Sequence, residues 1–459
     1  MKKIFYRIYA AAFIGICLVP AVFTPFMKSD ETAEKRNLSE FPVFTDEDGS
    51  FNTKFFSEFE TWFSEHFAFR QKLVNADGRL RSGILASSSD SDVIVGKDGW
   101  LFYGETAGDY LRTDIMSSLE INSIVHNLRL VSEYCSGKGA EFIFFSAPNK
   151  NTLYPEYMPY NYVPADRKSN YENLAAELAG DEFYLDMKET LLGIDFSEPL
   201  YHKTDTHWNN FGAYAAHVSI MERIGKSSCP IESDGWYISN DRLGDLAAMI
   251  YPAENAKDTQ FHNEYEFSYQ YTSRFRGLDD ISITTSNQDR QGNLIMFRDS
   301  YGEAILPYMA EMFGTADFSR AVPYNLRNVS EDDTVIIEIV ERNLGNLKKY
   351  APVMPAPVRE FPETIAESGS FSMIAESEEI NGFSHIWGKV PKECVTGDSC
   401  RIYVEPGGIV FEAFNCFEEK LLGEPDNGYG NGFSLYLPSG SEADRVIVGN
   451  DDDKIFCSQ

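Results

Sequence analysis

Three short runs of almost unbroken apolar residues constrain this chain most: "AEFIFFSAP" (140–148), "NLIMF" (293–297) and "TVIIEIV" (334–340). A strand with one wet face alternates polar and apolar residues. A strand that does not alternate is covered on both faces. Helical patterns stand around these runs. Ser117 and Glu120 have capping-box spacing, and Ile121, Ile124, Val125, Leu128 and Val131 then share one face up to Gly137 and Gly139. Further helices are predicted over about 167–179, from Trp208 to about Gly225 with Tyr214, Val218 and Met221 inward, and from about Gly302; "FYLD" (183–186) reads as a short strand. Strands alternating with helices predict an α/β layer with a largely parallel sheet.

The 459 residues suggest two or three domains at roughly 150 residues each. "DVIVGKDGWLFYGE" (92–105) reads as a hairpin turning at Asp98-Gly99. Phe55, Phe59, Trp62 and Phe63 form a packing stripe on one helix. The Pro-rich "APVMPAPVREFP" (351–362) marks a boundary. Beyond it the pattern changes to short β-like runs, "CRIYV", "GIVFEAF", "FSLYLP" and "RVIVG", separated by Gly, Asn and Asp turns. The expected organisation is a signal or membrane anchor (1–30), an α/β domain (31–350), a Pro-rich linker (351–362) and a small β domain (363–459) serving interaction or carbohydrate binding, where Trp387 is expected in the core.

The N-terminus has Lys2, Lys3 and Arg7 before the apolar run Ile8 to Phe26. That run is long enough to span a bilayer and has no small-x-small cleavage pattern, so an uncleaved anchor is expected over a cleaved signal. The basic residues keep the N-terminus cytoplasmic, which puts the body outside the membrane, anchored or secreted. Cys17 lies in this run. The other six cysteines, Cys135, Cys229, Cys394, Cys400, Cys416 and Cys457, are then expected to form disulfides. With 71 acidic against 40 basic residues, the net charge of −31 argues against nucleic acid as a partner.

Chemistry concentrates in two stretches. "YHKTDTHWNN" (201–210) places Asp205 two residues before His207. In an extended segment both point to the same side, so the carboxylate can hold Nδ1–H and leave Nε2 as a base. "FRDSYG" (297–302) follows a buried strand and opens a helix, exposing Ser300 at the carboxyl edge of the sheet beside amide donors. A cap on that helix is the competing role for Ser300.

Together, "TDTHW" and "FRDSYG" resemble the SGNH-hydrolase-like proteins of the alginate O-acetyltransferase type and the related bacterial DHHW proteins. "KRNLSEFP" (35–42), "GKDGWLFYGE" (96–105), "PNKNTLYPEYMP" (148–159) and "EIVERNL" (338–344) fit the same family, and the resemblance covers most of 31–350. It implies a three-layer SGNH-like domain and a metal-free, cofactor-free site that moves acetyl groups onto or off extracytoplasmic polysaccharide. Ser300 would be the nucleophile, His207 the base and Asp205 its orienter. It also implies a membrane-bound acyltransferase as partner. Acetyl esterase action, and a catalytically idle glycan-binding role, stay open as alternatives. Two positions depart from the pattern: Thr206 replaces the first His of D-H-H-W, expected to matter little because its side chain should point away, and Arg298 stands where many relatives have Gly. Asn149 and backbone N–H groups near Ser300 are oxyanion candidates. Lys150, Glu341 and Arg342 lie just past strand ends, and Trp208, Arg298 and Tyr301 lie within the two motifs, as candidates for substrate contact or packing.

Overall fold

The computed structural model describes residues 2–26, 38–45, 49–81, 88, 90–252, 257–360, 368–380, 382–417, 422, 428–450 and 454–458. The motif residues 35–37, the last two residues of the Pro-rich stretch, and the side chains of Lys2, Lys3 and Cys17 lie outside that description.

The apolar runs form the sheet that the sequence predicts. Its strands are β1 (Glu141–Ala147), β2 (Gln270–Tyr271), β3 (Ser282–Ser286), β4 (Asn293–Phe297), β5 (Thr315–Ser319) and β6 (Asp333–Val340), in the order β1-β6-β4-β5-β3-β2. The first four run parallel; β3 and β2 are antiparallel at one edge. All eight residues of β6 are buried, the signature of a central strand covered on both faces. "FYLD" contributes only a single parallel bridge, Phe144 to Tyr184, at the other edge. The five-residue strands β3 and β5 stand outside the predicted elements; both alternate, with Ile283, Thr285, Ala316 and Phe318 buried.

Helices α1 (Ser118–Gly137) and α2 (Asn170–Leu178) pack on one face; α3 (Asn210–Arg223) and α4 (Gly302–Met312) pack on the other. Both α1 and α2 start with complete capping boxes, Ser117 with Glu120 and Ser169 with Glu172. The buried face of α3 is Ala213, Ala216, His217, Ile220 and Met221; Tyr214 and Val218 stand at its border, because the alanines let the helix approach α4 closely. The hairpin is present, Val93–Val95 against Leu101–Tyr103, with Asp98 and Gly99 in the left-handed region at its turn.

The C-terminal part is a nine-stranded antiparallel-rich sheet with its own core around Ile386, Val390, Ile402, Val404 and Leu435. Ala351 and Met354 of the Pro-rich stretch enter the α/β core, while Ala356 enters the β core. Trp387 is not in that core. The strand Phe383–Pro391 alternates, so Ile386 and Gly388 turn inward while His385 and Trp387 stand half-buried on its other face.

The expectation of disulfides fails at three of the six cysteines. Cys135, Cys229 and Cys394 are buried free thiols, and Cys416 donates its thiol to the Lys349 carbonyl. Cys135 is part of the apolar face of α1, and Cys229 sits beside His217, so both behave as small core residues. The N-terminal helix Lys2–Phe23 and the short turn Thr24–Phe26 that continues it carry the one stretch among the described residues, Tyr6–Phe26, that is long and apolar enough to cross a membrane.

Candidate active site

The carboxyl ends of β1, β4 and β6 converge on one edge of the sheet, and the chemistry-bearing residues sit there. β4 runs into Arg298-Asp299-Ser300-Tyr301 before α4 begins. Asp299 fixes this turn through three backbone amides and a side chain. Its own N–H donates to Glu338, its carboxylate accepts from the N–H groups of Tyr301 (2.9 Å) and Val340 (2.8 Å), and Asn343 adds a fourth bond. Gly302 is required by close approach: a Cβ there would lie 2.6 Å from Cβ and Cδ of Arg298. The side chain of Ser300 does not cap α4, whose N-cap is Tyr301 with no side-chain bond.

Ser300 Oγ instead lies 2.9 Å from Nε2 of His207. His207 Nδ1 is 2.7 Å from Oδ1 of Asp205, which is fully buried. Burial opposes the Asp205 charge, but the hydrogen bond and charge of His207 and the Arg242 guanidinium outweigh it. Its carboxyl is held well below the usual carboxylate range. An ionised Asp205 makes Nδ1–H the donor and leaves Nε2 to accept from the Ser300 hydroxyl. The second oxygen of Asp205 takes Nε (2.9 Å) and Nη2 (2.8 Å) of Arg242.

The segment carrying Asp205 and His207 is an irregular turn, so neighbouring side chains do not simply alternate. Thr206 therefore reaches the pair, contrary to expectation. Its hydroxyl donates to Asp245 at 2.6 Å and lies 2.9 Å from His207 Nδ1, sharing that proton with Asp205. Three supports hold the turn. Leu101 of the hairpin donates to the Lys203 carbonyl, Asp258 accepts from Thr204, and Gly244 lies so close to the Thr204 carbonyl oxygen that a Cβ would meet it at 2.3 Å.

Lys150 is a support of the same kind and not a cleft residue. Its buried Nζ donates to the carbonyls of His202 (3.0 Å), Lys203 (3.0 Å) and Asp205 (2.6 Å). Burial pulls its pKa down to about 8, against the pull of Asp205, Asp245 and Asp258. Glu341 is also buried; it accepts from the Asn149 N–H, and burial raises it to about 7. The buried Asn149 side chain donates to Asp109 and accepts from the Arg342 N–H. Arg342 lies over the rings of Tyr103 and Tyr301, and buried Arg298 donates to the carbonyls of Asp299 and Leu278. Trp208 is buried and donates from Nε1 to the Tyr301 carbonyl at 2.9 Å, while the Tyr301 hydroxyl donates to the Thr206 carbonyl at 2.6 Å. These two aromatics lock the two motifs together.

His207 and Ser300 open into a cleft of about 290 Å³ that is also lined by His202, Arg242, Gln260 and Tyr308. The motifs do not point to Arg242 or Asp245. Both come from "NDRLGDL", whose only signal is a polar cluster before a short helix. Asp205, His207 and Asp245 place ligand atoms within 4.8 Å of one another, a spacing a cation could use. Arg242 on Asp205 and the Thr206 hydroxyl on Asp245 already occupy those oxygens, so the set fits a hydrogen-bonded network better than a metal centre.

Residues 93–277 match the model of the SGNH hydrolase-like domain of the acetyltransferase AlgX; the match includes Asp205 and His207 and ends before Ser300. A 175-residue stretch is 26% identical to the probable alginate O-acetylase AlgJ of Pseudomonas aeruginosa, and covers 38% of this chain and 42% of that relative. Among solved structures, Bacillus cereus PatB1 with a sulfonyl adduct is 18% identical with a TM-score of 0.43, covering 56% of this chain and 96% of that one. A DHHW family protein from Eubacterium siraeum is 16% identical with a TM-score of 0.41, covering 56% and 96%. Through residues 93–277 the chain is similar to the SGNH hydrolase-like proteins of the alginate O-acetyltransferase type, as its sequence led one to expect.

Proposed function

We propose that this chain is an extracytoplasmic polysaccharide O-acetyltransferase that works through an acetyl-serine at Ser300. The observation that carries this reading is the continuous chain from Ser300 Oγ to His207 Nε2 (2.9 Å) and from Nδ1 to Asp205 (2.7 Å). His207 takes the Ser300 proton as Oγ bonds to the acetyl carbon of the donor. The donor's leaving group departs with that proton. A sugar hydroxyl then gives its proton to Nε2 and attacks the acetyl-serine, and Ser300 leaves reprotonated. The N–H of Tyr301 is occupied by Asp299, so the amides of Ser300 and Gly302 are the nearest backbone donors for the oxyanion.

The apolar N-terminal helix supports attachment to the cell membrane, where a membrane-bound acyltransferase would supply the acetyl group. In the β-rich part, a groove of about 660 Å³ lined by His385, Trp387, Tyr436 and Tyr350 offers aromatic faces to a glycan. One feature favours a second reading, acetyl esterase: 19% of the His207 side chain is exposed, so water can reach Nε2.

Incubation with an acetyl ester and an oligosaccharide acceptor tests both. Acetyl on the oligosaccharide supports transfer; free acetate alone supports the esterase. A serine-reactive sulfonyl probe should label Ser300 and leave the Ser300→Ala variant untouched. Glycan binding with no labelling of Ser300 would sink both enzymatic readings and leave a binding protein.

A further inference from the structure

The segment between the N-terminal helix and the hairpin exposes aromatic residues on a scale that folding does not account for. The helix Phe55–His66, "FFSEFETWFSEH", contains no buried residue. Phe56 is 71% exposed, Phe44 61% and Phe41 57%. Among the described residues the rings pack on one another, Phe41 on Trp62, Phe44 on Phe55 and Phe59 on Phe63, and Trp62 stacks on His66. The sequence stripe on this helix is therefore not a core face. Contiguous exposed apolar surface of this kind marks an interaction site.

The structure also ties that surface to the membrane-long helix. The end of the membrane-long helix is tied to the far end of the aromatic segment: Ala68 N–H donates to the Thr24 hydroxyl at 3.0 Å, and Phe23 packs edge-on against Phe69 at 5.9 Å. An aromatic cluster held at the end of an apolar span lies at the depth where Trp and Phe collect at membrane boundaries. The next helix, Arg70–Leu80, exposes Lys72 beside Leu73 and Arg79 beside Leu80, pairs whose cations can reach headgroups while the leucines stay in the boundary. That helix packs on Asp245–Ile250, whose first residue bonds Thr206.

We propose that residues 41–45 and 49–69 lie in the headgroup layer of the bilayer that the N-terminal helix enters, and so hold the His207–Ser300 cleft at the membrane surface. The proposal rests on the anchor reading of that helix. The test uses the full chain reconstituted in phosphatidylcholine vesicles whose acyl chains are brominated near the glycerol end. Of the five tryptophans, Trp62 alone lies in this segment. Bromolipid should quench part of the emission, and Trp62→Phe should remove that quenched part. Equal quenching of parent and Trp62→Phe, or unhindered quenching of Trp62 by aqueous iodide, overturns the proposal. Alkaline carbonate washing separates the two failures. A chain that stays in the vesicles with Trp62 unquenched loses only the headgroup placement; a chain that washes off with Trp62 unquenched loses the anchor as well.

Discussion

Nε2 of His207 and Oγ of Ser300 stand 2.9 Å apart across 93 residues of sequence, within hydrogen-bond reach. The registration comes from the next residue in each motif. Trp208 donates to the Tyr301 carbonyl, and Tyr301 donates to the Thr206 carbonyl, so the two turns are stitched on either side of the reacting atoms.

Asp205→Asn keeps the shape of the site but presents an amide where an acceptor is needed. His207 would take the other tautomer, and acyl transfer should fall on the order of 10⁴-fold, as in other Ser-His-Asp sites. The same variant has a pH signature. The folded state depresses the Asp205 pKa, so its contribution to stability is fully present above the unfolded value, about 4, and is lost as pH falls towards the folded one. Tm measured downwards from about pH 6 to about pH 3 should fall less steeply in Asp205→Asn than in the parent; parallel curves would show that Asp205 is not paired as described.

Lys150→Met should destabilise the protein by about 1–3 kcal/mol, because three buried carbonyls lose their donor. Its pH dependence has the same sign as that of Asp205 but falls in a higher window. Its folded pKa of about 8 lies below the ordinary 10.5, so the parent should gain stability as pH rises from 8 to 10.5 while the variant lacks that gain. Denaturant unfolding at pH 7 and pH 10 gives both numbers.

Thr206→Val removes the hydroxyl between Asp245 and His207 Nδ1 and preserves volume. Loss of one hydrogen bond that orients the imidazole should lower kcat about two- to tenfold with little change in KM. An unchanged kcat would mean that Asp205 alone orients the ring.

Gly302→Ala should cost about 1–3 kcal/mol, since its Cβ would overlap Arg298 and the turn must shift. Because that turn carries Ser300, labelling by a sulfonyl probe should slow along with the drop in the urea midpoint.

How much of this was legible beforehand depends on distance along the chain. The apolar runs 140–148, 293–297 and 334–340 became β1, β4 and β6, because burial on both faces leaves a mark in composition. The capping box at Ser117 is a pair of local hydrogen bonds between residues three apart, so that helix start followed directly. Strands β3 and β5 did not, since each is only five residues long with at most two apolar side chains, too short a run to stand out.

The sequence by itself determined the elements, the sheet's buried strands, and the residue types of the site, because each is fixed by contacts within a few residues. Only tertiary structure decided which groups meet. It put Thr206 against His207, gave Asp205 a guanidinium from Arg242, turned Lys150 from the cleft to the carbonyls beneath it, left Cys394 a free thiol, and exposed the aromatics of 41–69. These are contacts between segments whose separation carries no period, and their energies depend on burial that exists only once the sheet has formed.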